Sequence, residues 1–318
     1  MAISDHTAFH RGSYISIIIN TTGRNIASIR RLLHSIQDFR NHEVIIATES
    51  NGDKLLELCK ELHMECVVIE TGYWNRCRTA NLAVIKSRGE LVVLLEDDVE
   101  LEASWLSKMV KCINAESRIG CTYSTVINPF GSESMAAKTS KKILRFITKA
   151  INALRAHYHF ARKGLNVFSL TVLCRREALL RAGLFDMNVE EPIVAEDYDL
   201  ALRIQKAGYR VTLCTEAKAA HYTLHTYKRA MLALKKGPKW WGKLIENDTY
   251  FFAKHYDLLG IAVLMHSLYN AFFSPFALLL KLREPNINVL LYFPYSVKGS
   301  FAGFLRGILT YRHFRGDN

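Results

Sequence analysis

Between residues 14 and 113, short apolar runs alternate with stretches of helical spacing. Tyr14–Asn20 (YISIIIN) is short and β-branched, the pattern of a strand buried on both faces. Ile26–Ile36 carries apolar residues at helical intervals. Glu43–Thr48 (EVIIAT) then reads as a second strand, Leu55–His63 as a helix and Glu65–Glu70 (ECVVIE) as a third strand. Thr79–Ser87 predicts a helix, Arg88-Gly89-Glu90 a turn, Leu91–Leu95 a fourth strand and Trp105–Ile113 a further helix. This βαβαβαβ order predicts an α/β fold with a mainly parallel sheet and helices on both faces. Ligands of such sheets bind at the carboxyl ends of the strands. Thr21-Thr22, Glu49 and Glu96-Asp97-Asp98 all fall at that edge.

The last of these groups raises a chemical question. LVVLLEDDVELE (Leu91–Glu102) ends a buried strand on three successive carboxylates with no basic residue among them. Their mutual repulsion asks for a cation. A strand end bearing Glu and Asp suits a hard divalent ion, Mg²⁺ or Mn²⁺, which can in turn bind phosphates and neutralise a departing diphosphate. The bland alternative is an acidic turn capping the helix that follows. A second acidic group lies in EEPIVAEDYDLALRI (Glu190–Ile204), where Glu196-Asp197 opens a helix. Acids there complement the helix dipole, and one of them can equally serve as a general base toward an incoming hydroxyl.

The chain resembles family 2 glycosyltransferases of the GT-A (Rossmann-like) fold. The matching segments, in order, are INTTGRN, ATESNGD, RTANLAVIKSRGELVVLLEDDVEL, LTVLCRREALLRAGLFD, AEDYDLALRIQKAGYRV and the later His221, spanning roughly residues 14–225. The resemblance implies a nucleotide-sugar donor, a divalent metal and inversion at the anomeric carbon. Asp98 would ligate the metal. Glu96 and Asp97 would contact the donor, Glu49 the nucleoside, and Thr21 would lie in the base-binding loop. Asp197 would be the base with Glu196 in support, and His221 would serve the metal or the diphosphate. Glu stands for the usual Asp at both Glu49 and Glu96. Ala80 stands where an Arg is common, which leaves Arg76 or Arg78 to reach the phosphates.

Composition and charge add a location. At 318 residues, 49% of them apolar, the chain can bury a sizeable core. Through residue 130 there are 14 Lys/Arg against 16 Asp/Glu, and beyond it 28 against 14, so the second half faces anions. Seven scattered cysteines without CxxC predict reduced thiols in a cytosolic compartment. The segment 132–165 contains a basic amphipathic helix pattern of the kind that lies in a membrane interface. Leu258–Leu280 runs without charge for long enough to span a bilayer. His266, Ser267, Asn270, Ser274 and Pro275 interrupt it, which favours a hairpin dipping into one leaflet or a helix pair. Rhamnosyltransferase-like members of the family have similar tails.

The expectation is therefore a GT-A domain over residues 1–225 and a helical, membrane-associated region over 226–318. The enzyme would work at the cytoplasmic face of the membrane, on a lipid-linked or glycan acceptor. An anionic membrane surface is an expected partner and nucleic acid is not, because the basic residues alternate with aliphatic runs and form no aromatic platform. Two rival readings are a nucleotidyltransferase and a non-catalytic binder on the same scaffold. GPKWWGKL (Gly237–Leu244) lacks the Ser/Thr and the preceding strand of a P-loop.

Overall fold

The structure is a computed structural model that describes residues 14–127, 129, 171–222, 225–280 and 287–316. The expected basic amphipathic segment, 132–165, lies outside them. The chain divides into two compact units that interleave in sequence. The first takes residues up to 126 together with 170–184 and 207–219, and the second takes 127–169, 185–206 and everything from 220 onward.

In the first unit, β1 (Ile15–Thr21), α1 (Ile26–Ile36), β2 (His42–Thr48), α2 (Gly52–Glu61), β3 (Cys66–Glu70), α3 (Arg76–Lys86) and β4 (Leu91–Glu96) follow the predicted order. Both α2 and α3 begin three residues before the apolar pattern does. Asn75 caps α3 by accepting from Arg78 N–H, a local bond that hydrophobic spacing does not register. β5 (Val99–Leu101), α4 (Trp105–Asn114), β6 (Ile119–Ile127), β7 (Thr171–Arg175), α5 (Arg176–Arg181) and β8 (Arg210–His221) complete the sheet and its cover.

The strand order is β3-β2-β1-β4-β7-β6-β8-β5. β1 pairs in parallel with β2 and β4, and β2 with β3. β7 runs antiparallel to both β4 and β6. The sheet is thus mixed, and the expectation of a mainly parallel one holds for its first half alone. Strand direction depends on which distant segments meet in the sheet, which the residues of TVLCR do not encode. Both faces of the parallel half are buried, with Ile17, Ile18, Ile19, Ile45, Ile46, Val92 and Val93 at or near zero exposure. Uniformly apolar strands are the consequence. Trp105 and Met109 of α4 pack into the same core as Leu32 and Leu33 of α1.

The cysteines depart from expectation. Cys59–Cys66, Cys112–Cys214 and Cys121–Cys174 are bonded, and Cys77, which is buried, lies outside these three disulfides. Register explains the last pair, because Cys121 and Cys174 face each other across β6 and β7. Partners brought together from distant positions leave no spacing motif in the sequence.

The second unit contains α6 (Glu196–Lys206), α7 (His225–Lys236), α8 (Pro238–Ala253), α9 (Tyr256–Leu259), α10 (Ala262–Leu268), a π-turn (Tyr269–Phe273), α11 (Ser274–Leu280), a 3₁₀ turn (Ile287–Tyr292) and α12 (Phe293–Gly316). Trp241, Leu244 and Ile245 of α8 pack with Val289 and Tyr292. Phe252 packs with Tyr198, Leu202, Leu259 and Val263. The P-loop lookalike is the start of α8, with Pro238 in its first turn. No described helix is long and apolar enough to cross a membrane.

Candidate active site

The carboxyl edge of the parallel strands is built from the loops that leave them. After β1 the chain turns at Gly23, with φ +73°, so close to the loop after β2 that a Cβ there would lie 2.0 Å from Ser50 O. Only glycine fits that approach. Ser50 Oγ donates to Thr22 O at 3.1 Å, and Asn51 Nδ2 donates to Gly23 O at 3.1 Å. These bonds join the two loops into one floor. Thr21, buried at the end of β1, donates its hydroxyl to Asp97 Oδ2 and accepts from Gly23 N–H at 2.9 Å.

Glu49, just past β2, receives both terminal bonds of one Arg24 nitrogen, at 2.9 and 2.8 Å. Arg24 belongs to the TTGRN loop, yet sequence reasoning assigned it no role. Its signal was a cation following the loop glycine, 25 residues from the acid it meets. Glu70, at the end of β3, accepts from Gly52 N–H at 2.6 Å and holds the start of α2.

Arg76 opens α3, and its Nη1 stands 3.3 Å from Glu96 Oε1, with both side chains partly buried. Asn20 Nδ2 donates to Arg76 O at 2.9 Å and so fixes the turn that carries this arginine. Asn20 also pairs in register with Glu96. Arg78 is exposed, and its backbone N–H donates to Asn75 Oδ1 at 3.0 Å. Of the two candidate phosphate arginines, Arg76 is the one turned toward the acids.

Glu96 ends β4, and Asp97-Asp98 form the turn into β5. β5 lies beside β8 in the sheet. Glu102 N–H donates to Lys218 O at 3.4 Å, and Lys218 N–H donates to Glu102 Oε1 at 2.9 Å. β8 is one uninterrupted strand through His221, so its last residue is placed by the sheet. One ligand atom from each of Glu96, Asp98 and His221 lies within 4.8 Å of the other two, and all three side chains are partly exposed. Two carboxylate oxygens and an imidazole nitrogen at that spacing match the donor set of a hard-to-borderline divalent cation.

Residues 16–181 match the profile of glycosyl transferase family 2. The chain belongs to that family. The family match ends before Glu196. A glycosyl transferase family 2 chain of this kind has a curated relative in an uncharacterised protein of Sinorhizobium fredii, 29% identical over 167 residues. That stretch is 47% of this chain and 17% of the relative, so the chain spans under a fifth of the relative's length. Among solved structures it is similar to the mannosyltransferase PcManGT of Pyrobaculum calidifontis in complex with GDP-Man and Mn²⁺. The TM-score is 0.55 at 18% identity, covering 94% of this chain and 87% of that one. It is also similar to TarS 1-349 of S. aureus in complex with UDP-GlcNAc, with TM-score 0.54 at 14% identity, covering 95% and 92%. At these identities the likeness is one of fold.

In the second unit, Glu196 and Asp197 are the first residues of α6, as the sequence placed them. Glu196 is buried and Asp197 partly so. Two residues on, Asp199 is fully buried in a group of charges. Its Oδ1 lies 2.8 Å from His255 Nε2 and 3.0 Å from Lys254 Nζ, and its Oδ2 lies 2.8 Å from an Arg203 terminal nitrogen. Lys254 Nζ also meets Asp186 Oδ2 at 2.7 Å, and Tyr250 donates its hydroxyl to the same oxygen at 2.7 Å. Burial alone would raise the Asp199 carboxyl. The Arg203, His255 and Lys254 groups around it outweigh that and hold it far below the usual carboxylate range. Burial pushes His255 down, against the pull of Asp199.

Proposed function

We propose that the protein is an inverting, metal-dependent glycosyltransferase. It moves a single sugar, hexosyl or rhamnosyl, from a nucleoside-diphosphate donor to a lipid-linked or membrane-near glycan acceptor. The observation that carries this reading is the convergence of Glu96, Asp98 and His221 at the strand edge of a family 2 chain. Neighbours of the same fold bind GDP-Man with Mn²⁺ and UDP-GlcNAc. Glu96, Asp98 and His221 would hold Mg²⁺ or Mn²⁺, the imidazole tilting the preference toward Mn²⁺. Such an ion, when bound, neutralises charge on the departing diphosphate.

Each residue at the edge then has a defined task. The floor built by Thr21, Gly23 and Ser50 receives the nucleoside, and the Arg24–Glu49 pair borders it. Arg76, held by Asn20, supplies a fixed positive charge to the diphosphate oxygens. Asp197 accepts the proton of the acceptor hydroxyl as that oxygen attacks the anomeric carbon. The new C–O bond forms opposite the breaking bond to the diphosphate, which leaves with its electron pair, and configuration inverts. Glu196 supports the base from the preceding position.

A panel of nucleotide-sugars with Mn²⁺, scored for nucleoside-diphosphate release, tests the reading. Asp98→Ala should abolish Mn²⁺-assisted donor uptake measured by calorimetry. Asp197→Asn should keep donor binding while turnover falls about 10²–10⁴-fold, the usual contribution of a general base. Unchanged activity in Asp98→Ala sinks the metal role. Donor binding without turnover in the wild type, given every acceptor preparation, would favour the non-catalytic scaffold.

A further inference from the structure

The C-terminal part of the second unit sets buried polar side chains opposite exposed apolar rows. Along α10 and the π-turn the polar side chains point inward. His266 Nε2 lies 2.8 Å from Asp248 Oδ2, and Asn270 Nδ2 donates to Asp248 Oδ2 at 2.8 Å and to Thr249 Oγ1 at 3.0 Å. The residues that interrupt the apolar run are thus satisfied within the protein. Exposed in their place is the row Ile261, Leu264, Leu268 and Phe272, at helical intervals, with Ile261 75% exposed.

α12 repeats the arrangement. Gly299, Gly303 and Gly307 face α8 so closely that a Cβ on Gly299 would lie 2.2 Å from Gly242 O, and one on Gly303 2.2 Å from Glu246 O. On its outer side stand Phe301, Leu305 and Leu309, the first and last 65% and 63% exposed. The two segments run antiparallel, with ring contacts at both ends. Phe272 lies 5.9 Å from Phe293, and Tyr256 lies 6.3 Å from Tyr311.

In water this order opposes the hydrophobic effect, which buries large apolar side chains and leaves His and Asn outside. Against hydrocarbon the preference reverses. Polar groups must then be satisfied internally, and helices associate through small residues while large apolar ones meet lipid. We propose that the two exposed rows are a bilayer-docking face, seated in one leaflet of a membrane with anionic headgroups. Lys298 continues the exposed row of α12 at one end, and the Tyr256–Tyr311 pair lies at the other, suited to headgroup level. The ammonium of Lys298, exposed on that row, suits an anionic headgroup. No described helix can cross, so the face lies in the interface.

The proposal extends the reading of a membrane-near acceptor, and its test separates the two. The full chain is floated with vesicles of phosphatidylcholine and phosphatidylglycerol. Wild type should rise with the lipid, and Phe301→Ser/Leu305→Ser should partition at least about tenfold more weakly, given what two exposed apolar side chains gain on burial. Its lipid-free melting point should stay that of the wild type. A Leu305→Trp variant should be quenched by bromine-labelled acyl chains. Wild type left unbound, a double variant that floats like wild type, or an unquenched Trp would each overturn the proposal. A lipid-free dimer dissolved by the double variant would also overturn it, since a second copy would then cover the face. Mn²⁺-dependent donor binding, measured on the same proteins, reports on the catalytic reading by itself.

Discussion

Asp199 shows how a residue can matter without touching substrate. It is two positions from Asp197 in the first turn of α6, and its carboxylate is gripped by Lys254, His255 and Arg203. Lys254→Met would leave Asp186 and Asp199 buried without their shared cation. A loss of about 3–5 kcal/mol is expected, read as a lower urea midpoint. His255 adds a pH dependence. Its Nε2–H serves Asp199, and its buried Nδ1 has no hydrogen-bond partner among the described residues. A second proton is therefore disfavoured, and the folded pKa lies below the ordinary 6.5. The unfolded chain binds that proton first, so stability is complete above about pH 6.5 and falls as the pH drops toward the folded value. Asp199 continues the loss at lower pH, below the ordinary carboxylate range. Thermal melts should hold level down to about pH 6.5 and decline from there to pH 5, by at most about 1.4 kcal/mol per pH unit from His255. His255→Gln should flatten the upper part of that decline. Lys254 and His255 were not legible as partners, because they lie 55 and 56 residues from Asp199, whereas Arg203 is one turn along the same helix. Glu96, Asp97 and Asp98 were legible as strand-end acids from the apolar run before them, whereas His221 was offered by the family resemblance alone.

At the level of elements, apolar periodicity located β1 to β4 and their helices to within a few residues, because strands buried on both faces and amphipathic helices leave distinct periods. It was silent on direction, and the antiparallel β7 beside β4 came from the structure. The Asn75 cap marks the start of α3, and Glu70 of β3 holds the start of α2, where spacing is silent. The packing of α12 on α8 rests on its glycines. Gly303→Val would drive side-chain carbon into Glu246 O and hold the helices apart, costing on the order of 1–3 kcal/mol. Circular dichroism melts would show a lower transition with helix content retained. The carboxylate of Glu43 illustrates a structural acid at the opposite end of the strands. It accepts from Ser16 Oγ at 2.5 Å and from Arg88 N–H at 2.7 Å, fastening the turn into β4. An acid at a strand start and an acid at a strand end look alike in composition, and position separates them.

For the whole molecule, the proposed chemistry predicts linkage between ligands and stability. Anything that binds the folded chain alone raises its melting temperature by mass action, about 2.7 kcal/mol at a hundredfold excess over Kd. Mn²⁺ with the matching nucleoside diphosphate should therefore raise the melting temperature of wild type, and Asp98→Ala should lose that shift. The same measurement ranks UDP, GDP and dTDP. By itself the sequence determined the α/β class, the family, the acidic edge after β4 and the excess of cations in the second half. These follow from periodicities and short motifs, which are local. Tertiary structure alone decided that the sheet is mixed, that six cysteines pair, that Arg24 meets Glu49 and that polar residues of the tail turn inward while Ile261, Phe301 and Leu309 stay outside. Each of these depends on which distant segments the backbone brings together, and no local pattern carries that information.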